Sequence, residues 1–278
     1  MTQGHPPEDD RGRRRVPPPP GSDPLSLTAA DGTPLAGLHV PGAPTGTAFV
    51  VAHGFCGSFA HRRVDRVLRG LSQHGGVVAF DQRGHGRSGG LSTLAHREPL
   101  DLEAVAAWAR AQGYGRVVTV GFSMGSAVAL RHAALLGGRP DRPVGDLAGV
   151  DAVVSVSGTA FWYYRGTPPM KWLHRAVGTV TGRAYLRARL GTRVDPRPWP
   201  DPPPMTPTAS AARIVEQGIP LLVVHGDQDP FFPLDHPAAL QRAAPGSQAW
   251  IEPGFGHAEG AIDAALIDRI GAWGTADS

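Results

Sequence analysis

The sequence predicts an α/β fold, a mostly parallel sheet with helices packed on both of its faces. Short β-rich runs alternate along the chain with helical stretches, the order that parallel sheets built from strand–helix–strand units require. Most of the runs are continuously apolar, as strands covered on both sides are. The composition agrees: 41% of the 278 residues are hydrophobic and 65 are Gly or Pro, which is globular and below the Gly/Pro content of wholesale disorder.

The first 22 residues are rich in proline and charge with little to bury, and are expected to form a disordered tail. From Asp23 the pattern changes. Leu25 to Thr28 and Leu35 to Val40 flank the turn residues Asp31-Gly32-Thr33-Pro34, which predicts a hairpin. Further strands are expected over Ala48 to Ala52, Val77 to Phe80, Val117 to Val120, Ala152 to Val156, Leu221 to Val224 and Ala249 to Ile251. Helices are expected between them at Arg62 to Gln73, Leu100 to Gln112, Ser126 to Leu136, His236 to Ala243 and Ala261 to Trp273. In the second of these, Leu102, Val105, Ala106 and Ala109 recur at helical spacing.

One insertion, about 158–208, breaks the rhythm. Seven of the chain's 19 aromatic residues fall in 158–200: Phe161, Trp162, Tyr163, Tyr164, Trp172, Tyr185 and Trp199. A proline-rich run, Asp195 to Pro204, then provides a stiff return path. The segment reads as a small cap over the carboxyl edge of the sheet, with the alternative that its aromatics merely pack on the body.

Charge and cysteine content exclude several classes. The net charge is only +3, from 27 basic and 24 acidic residues, and Lys171 is the one lysine. Apart from Arg13, Arg14 and Arg15 the arginines are interspersed with acids, so no nucleic-acid-binding stripe is expected. A single cysteine, Cys56, leaves no internal disulfide and no cysteine-based zinc site. No apolar run approaches the roughly 18 residues of a membrane helix, and no secretory h-region precedes the body, so a cytoplasmic protein is expected.

The pattern Gly-x-Ser-x-Gly occurs twice, around Ser123 and around Ser88. Ser123 follows the strand Val117 to Val120 and precedes a helical run, the strand–turn–helix setting in which crowded neighbours demand glycine on both sides. Ser88 lies among Gly84, Gly86, Gly89 and Gly90 with no helix after it, and reads as a loop residue. A serine hydroxyl needs a base. His257 follows the last strand in the glycine-rich loop Pro253 to Glu259, and is favoured over His236 at a helix start. Asp229, after the strand Leu221 to Val224, can orient the imidazole, whereas Asp227 beside Gly226 suits a turn. All three follow strand carboxyl ends, where open α/β sheets gather their ligand sites. His53 and His85 lack metal-ligand spacing, and Arg83 with Asp81 is expected to brace a loop.

Four segments, His53 to Ser58, Asp81 to Ser88, Gly121 to Gly125 and His225 to Pro233, make the sequence resemble the α/β-hydrolase family from about Asp23 to Trp273. It looks most like the lysophospholipase and monoacylglycerol-lipase-like branch of serine esterases. The resemblance implies eight strands, the second antiparallel, with a cap inserted after the sixth. It also implies Ser123 as nucleophile, Asp229 as acid, His257 as base and the N–H groups of Phe55 and Met124 as oxyanion hole. The elbow departs from the lipase-like Gly-His-Ser-Met-Gly-Gly in having Phe122 and Ser126. The expected activity is hydrolysis of a small apolar or aryl carboxylic ester without a cofactor, with Trp162 and Tyr163 of the insertion contacting substrate. Thioester or amide hydrolysis, perhydrolase or lyase use of the same residues, and a non-catalytic binding protein are the alternatives.

Overall fold

The computed structural model describes residues 14–43, 45–136 and 149–276. Its centre is one eight-stranded sheet, formed by β1 (Asp23–Thr28), β2 (Pro34–Val40), β3 (Thr47–Ala52), β4 (Gly76–Phe80), β5 (Arg116–Phe122), β6 (Ala152–Val156), β7 (Leu221–Gly226) and β8 (Gln248–Glu252). The order across the sheet is β1-β2-β4-β3-β5-β6-β7-β8. Only β2 runs against its neighbours; every pairing from β4 to β8 is parallel. All eight expected strands are present.

Successive residues of each central strand serve opposite faces, as the period-2 geometry requires. Ala48, Val50, Ala52, Val153 and Val223 join the core beneath α2 (Pro99–Ala111) and α3 (Met124–Leu136). Phe49, Val51, Val120, Val154 and Val224 join the core beneath α1 (Arg62–Leu71) and the C-terminal helix. Both faces are covered, so the strands carry apolar side chains at nearly every position.

The insertion forms two helices, α4 (Pro168–Gly178) and α5 (Val180–Leu190), after β6. Ala176, Leu186 and Val194 pack with Phe55 and Cys56, placing this pair on the loop that leaves β3. The sequence predicted no helix between the insertion and β7, yet α6 (Pro207–Glu216) lies there and buries Ala211 and Ile214. Its start was masked by the proline-rich run. Pro207 occupies the first helical turn, where a missing N–H costs nothing, and Thr206 Oγ1 accepts from Ala209 N–H at 3.2 Å.

After β7 comes α7 (Asp235–Ala243). The expected final helix divides into a single turn, α8 (Ala258–Ala261), and α9 (Ala264–Thr275). Asp263 is extended and caps α9 by accepting from Leu266 N–H at 2.8 Å, so its side chain sets the break. Of the expected tail, residues 1–13 lie outside the described residues. Arg14–Ser22 begin against the body, with Val16 N–H donating to Ala60 O at 3.0 Å and Arg62 N–H to Arg14 O at 3.1 Å. Among the described residues no helix is long and apolar enough to cross a membrane.

Candidate active site

Ser123 occupies the single residue between β5 and α3, with φ +51. L-residues rarely adopt that conformation, and the surroundings hold it in place. Ser123 N–H donates to Val156 O at 2.9 Å. A Cβ on Gly121 would lie 2.3 Å from Gly125 O, and one on Gly125 only 2.1 Å from Ala52 O. The two glycines are therefore required by close backbone approach, and the turn projects Ser123 from the carboxyl edge of the sheet.

Asp229 and His257 arrive from the carboxyl ends of β7 and β8, beyond β6 on the same side of the sheet. Beyond β7, the Asp229 carboxylate accepts at Oδ1 from Phe231 N–H (2.8 Å) and Phe232 N–H (3.1 Å). Its Oδ2 lies 2.7 Å from His257 Nδ1, and His257 Nε2 lies 3.0 Å from Ser123 Oγ. Burial pushes the Asp229 carboxyl up, but the hydrogen bond and charge of His257, with the N–H groups of Phe232 and Phe231, outweigh it and hold the group below its ordinary value. An ionised Asp229 keeps the proton on Nδ1, leaving Nε2 as an acceptor for the Ser123 hydroxyl. The loop bearing His257 is drawn in by Gln228 N–H donating to Phe255 O (3.0 Å) and Ala258 N–H to Ser157 Oγ (3.0 Å).

The rival residues are occupied. The Ser88 hydroxyl is buried, donating to Asp81 O and accepting from Ala36 N–H at 2.9 Å. Asp227 Oδ1 accepts from Gly254 N–H at 2.7 Å, a turn contact. His236 Nδ1 accepts from Ala160 N–H at 3.0 Å, so it braces the start of the insertion. Burial pushes it down to about 4. His53 accepts from Gln82 N–H at Nε2 (3.2 Å), so its Nδ1 donates to Gly54 O (2.8 Å) and both ring nitrogens are engaged. Arg83 binds Asp101 and Asp31, with Nη2–Oδ1 and Nη1–Oδ2 distances of 2.6 and 2.8 Å, behind the loop it was expected to brace.

Met124 opens α3, where a helix leaves its N–H groups without internal acceptors. No hydrogen bond among the described residues takes up the Phe55 N–H. The loop carrying Phe55 is anchored by Gly54 N–H donating to Glu259 Oε1 at 2.7 Å. Nothing in the sequence flags Glu259 for this duty, because its partner lies 205 residues away. Phe231 was also missed: its ring stacks on His257 with centroids 4.3 Å apart, and Phe232 meets His257 edge-on at 5.7 Å. Their place directly after Asp229-Pro230 was the available signal.

Trp162 and Tyr163 of the insertion both lie against Trp199. The Trp162 indole N–H donates to Pro204 O at 2.8 Å and its ring packs on Trp199 at 5.0 Å. Tyr163 leans on Trp199 at 5.4 Å and is 60% exposed. Neither makes a hydrogen bond or ring contact with Ser123 or His257 among the described residues.

Residues 49–264 match the family model described as the alpha/beta hydrolase family, and the chain belongs to that family. Solved structures agree in fold. The Pyrococcus furiosus esterase Pf2001 is 20% identical, with a TM-score of 0.68 over 94% of this chain and 98% of the esterase. XC6422 from Xanthomonas campestris, described as an a/b serine hydrolase without lid, is 21% identical with a TM-score of 0.58 over 93% and 96%. Est1E from Butyrivibrio proteoclasticus, solved with ferulic acid bound, is 18% identical with a TM-score of 0.58 over 91% and 100%. A comparison with curated protein sequences gives no match.

Proposed function

We propose that the protein is a serine hydrolase that cleaves a carboxylic ester through an acyl-enzyme on Ser123. The observation that carries the reading is the continuous relay Asp229–His257–Ser123, with contacts of 2.7 and 3.0 Å, on a serine held at φ +51. His257 Nε2 takes the hydroxyl proton as Oγ attacks the ester carbonyl. The oxyanion sits between the N–H groups of Phe55 and Met124. Collapse of the tetrahedral adduct breaks the carbonyl–alkoxy bond, and the imidazolium returns its proton to the leaving alcohol. A water molecule repeats the sequence on the acyl-enzyme and releases the acid. Asp229 stabilises the imidazolium throughout and stays ionised. No cofactor is required.

The four loop segments resemble the lysophospholipase and monoacylglycerol-lipase-like branch, which supports an apolar acyl or aryl ester as substrate. Phe231 and Phe232, against His257, supply apolar surface beside the reacting atoms. The α4–α5 insertion on the Phe55 loop acts as a lid. A fluorophosphonate probe tests the reading directly, since only an activated serine reacts. Wild type should label and hydrolyse p-nitrophenyl butyrate, and S123A should do neither. Labelling that persists in S123A would place the nucleophile elsewhere.

A further inference from the structure

The insertion carries charge that the rest of the chain does not. Eight of the 27 basic residues and two of the 24 acidic ones fall in 158–208, so this segment bears +6 and the remainder −3. Part of that charge lines an open cleft of about 300 Å³, formed by Arg165, Lys171, His174 and Arg175. Among the described residues none of these four pairs with a carboxylate. Arg165, Lys171 and Arg175 are exposed, while His174 is half-buried and bonded to the Tyr164 main chain. Burial and the nearby Arg165 charge hold the His174 imidazole below its ordinary value, leaving three fixed cations around a neutral ring.

The segment that carries this cleft is tied to the residues beside Ser123. Thr167, between Arg165 and Lys171, donates its hydroxyl to Phe231 O at 2.9 Å, and the Phe231 ring stacks on His257. Along a second path, the Tyr164 ring packs on Phe232 at 6.3 Å, and Phe232 faces His257. Through Thr167 and Tyr164, the segment bearing the cations is therefore connected to Phe231 and Phe232, the two rings against His257.

We infer that Arg165, Lys171 and Arg175 form a subsite for an anionic group on the substrate, a carboxylate or phosphate separated from the scissile ester by an apolar spacer. The inference rests on Ser123 as nucleophile and adds what the distal end of the substrate carries. Charge-assisted hydrogen bonds from two or three such donors select an anion over an isosteric methyl group, and the selection weakens with salt.

The test uses the full chain and p-nitrophenyl hemiesters of six- to ten-carbon dicarboxylic acids, each paired with the neutral ester of equal chain length. In wild type the ratio of kcat/KM, anionic over neutral, should exceed one and peak at one chain length. The double variant K171Q/R175Q should lower that peak ratio about tenfold, mainly through KM, with R165Q acting in the same direction. Turnover of the neutral esters should stay within about twofold, because these exposed side chains take no part in the chemistry. Hydrolysis of neutral esters with a ratio that the variants leave unchanged would overturn the subsite and leave the esterase reading standing. Failure to hydrolyse any ester would overturn both. A lipid headgroup offers the same chemistry, so vesicles of phosphatidylglycerol and of phosphatidylcholine form a separate arm. Binding to the anionic vesicles alone that K171Q/R175Q abolishes, with the ester ratio unmoved, would assign the cations to a membrane surface and overturn the substrate subsite.

Discussion

The hydroxyl of Ser123 faces an imidazole, whereas that of Ser88 is sealed between Asp81 O and Ala36 N–H. S123A should therefore lose nearly all turnover with its Tm preserved. S88A should do the reverse: it leaves the partly buried Ala36 N–H and the Asp81 carbonyl without the Ser88 hydroxyl, at up to about 1–3 kcal/mol, so Tm falls while kcat per folded molecule persists. Thermal melts and active-site titration separate the two. On the proposed reading His257 takes the Ser123 proton, so H257A should abolish nearly all turnover with the fold preserved. His236, which binds Ala160 N–H and is pushed down to about 4 by burial, stands outside the relay, so H236N should retain most of the kcat/KM on p-nitrophenyl butyrate. Glu259 tests positioning. E259A frees the Gly54 N–H and loosens the Phe55 loop, with an expected kcat loss of about tenfold, short of the roughly 10²–10³ for removing an oxyanion donor outright. E259Q, which still offers a carbonyl oxygen to Gly54, should recover most of that loss with KM little changed.

At the scale of elements, the junction of β5 and α3 is the tightest in the site. Gly125 lies so near β3 that a Cβ would meet Ala52 O at 2.1 Å, a main-chain atom with no rotamer to yield. G125A should lower Tm steeply and kcat with it, because relieving the clash must move α3 and Ser123 together. The insertion behaves differently. Trp162 spends its ring on Trp199 and its N–H on Pro204 O, holding the return path to α6. W162A should cost up to about 3–5 kcal/mol, less in proportion to its exposure. It should leave the rise of kcat/KM from p-nitrophenyl acetate to hexanoate unaltered. F231A should flatten that rise, since each acyl CH₂ buried against the ring contributes roughly 0.8 kcal/mol. A slope that changes in W162A and persists in F231A would return substrate contact to the insertion's aromatics.

For the whole molecule, the protonation of buried groups sets the acid limit of stability. Burial pushes His85 down to about 3 and His236 to about 4 from 6.5, and lowers His225 also. Groups depressed on folding stabilise the native state above their unfolded values, and the contribution is lost as pH falls toward the folded ones. The unfolded chain therefore binds more protons than the native one from about pH 6.5 downward. Asp31 and Asp229, both held low against burial by their partners, extend the loss below 3.8. Asp101, pushed up to about 6 by burial despite Arg83, works the other way over part of this range, and the histidines outnumber it. The urea midpoint should fall steadily from pH 7 to 4. A flat profile would mean that these histidines gain a proton without opening the fold.

Strand periodicity, the elbow glycines and the order Ser, Asp, His at strand ends are properties of local covalent geometry, and the sequence by itself determined them. The choice of His257 among twelve histidines was legible from its place after the last strand. Helix α6 was hidden because proline marks both loops and first helical turns, and only packing on α3 distinguishes them. The roles of Glu259, Phe231 and Trp162 were decided by tertiary structure, because each depends on a partner outside its own segment. Gly54 meets Glu259 across 205 residues, and Trp162 meets Pro204 across 42. The cationic cleft belongs to the same class. Lys171, His174 and Arg175 share one face of α4 and Arg165 precedes it, and only the folded chain brings Arg165 to that face while Thr167 and Tyr164 tie the segment to the phenylalanines beside His257.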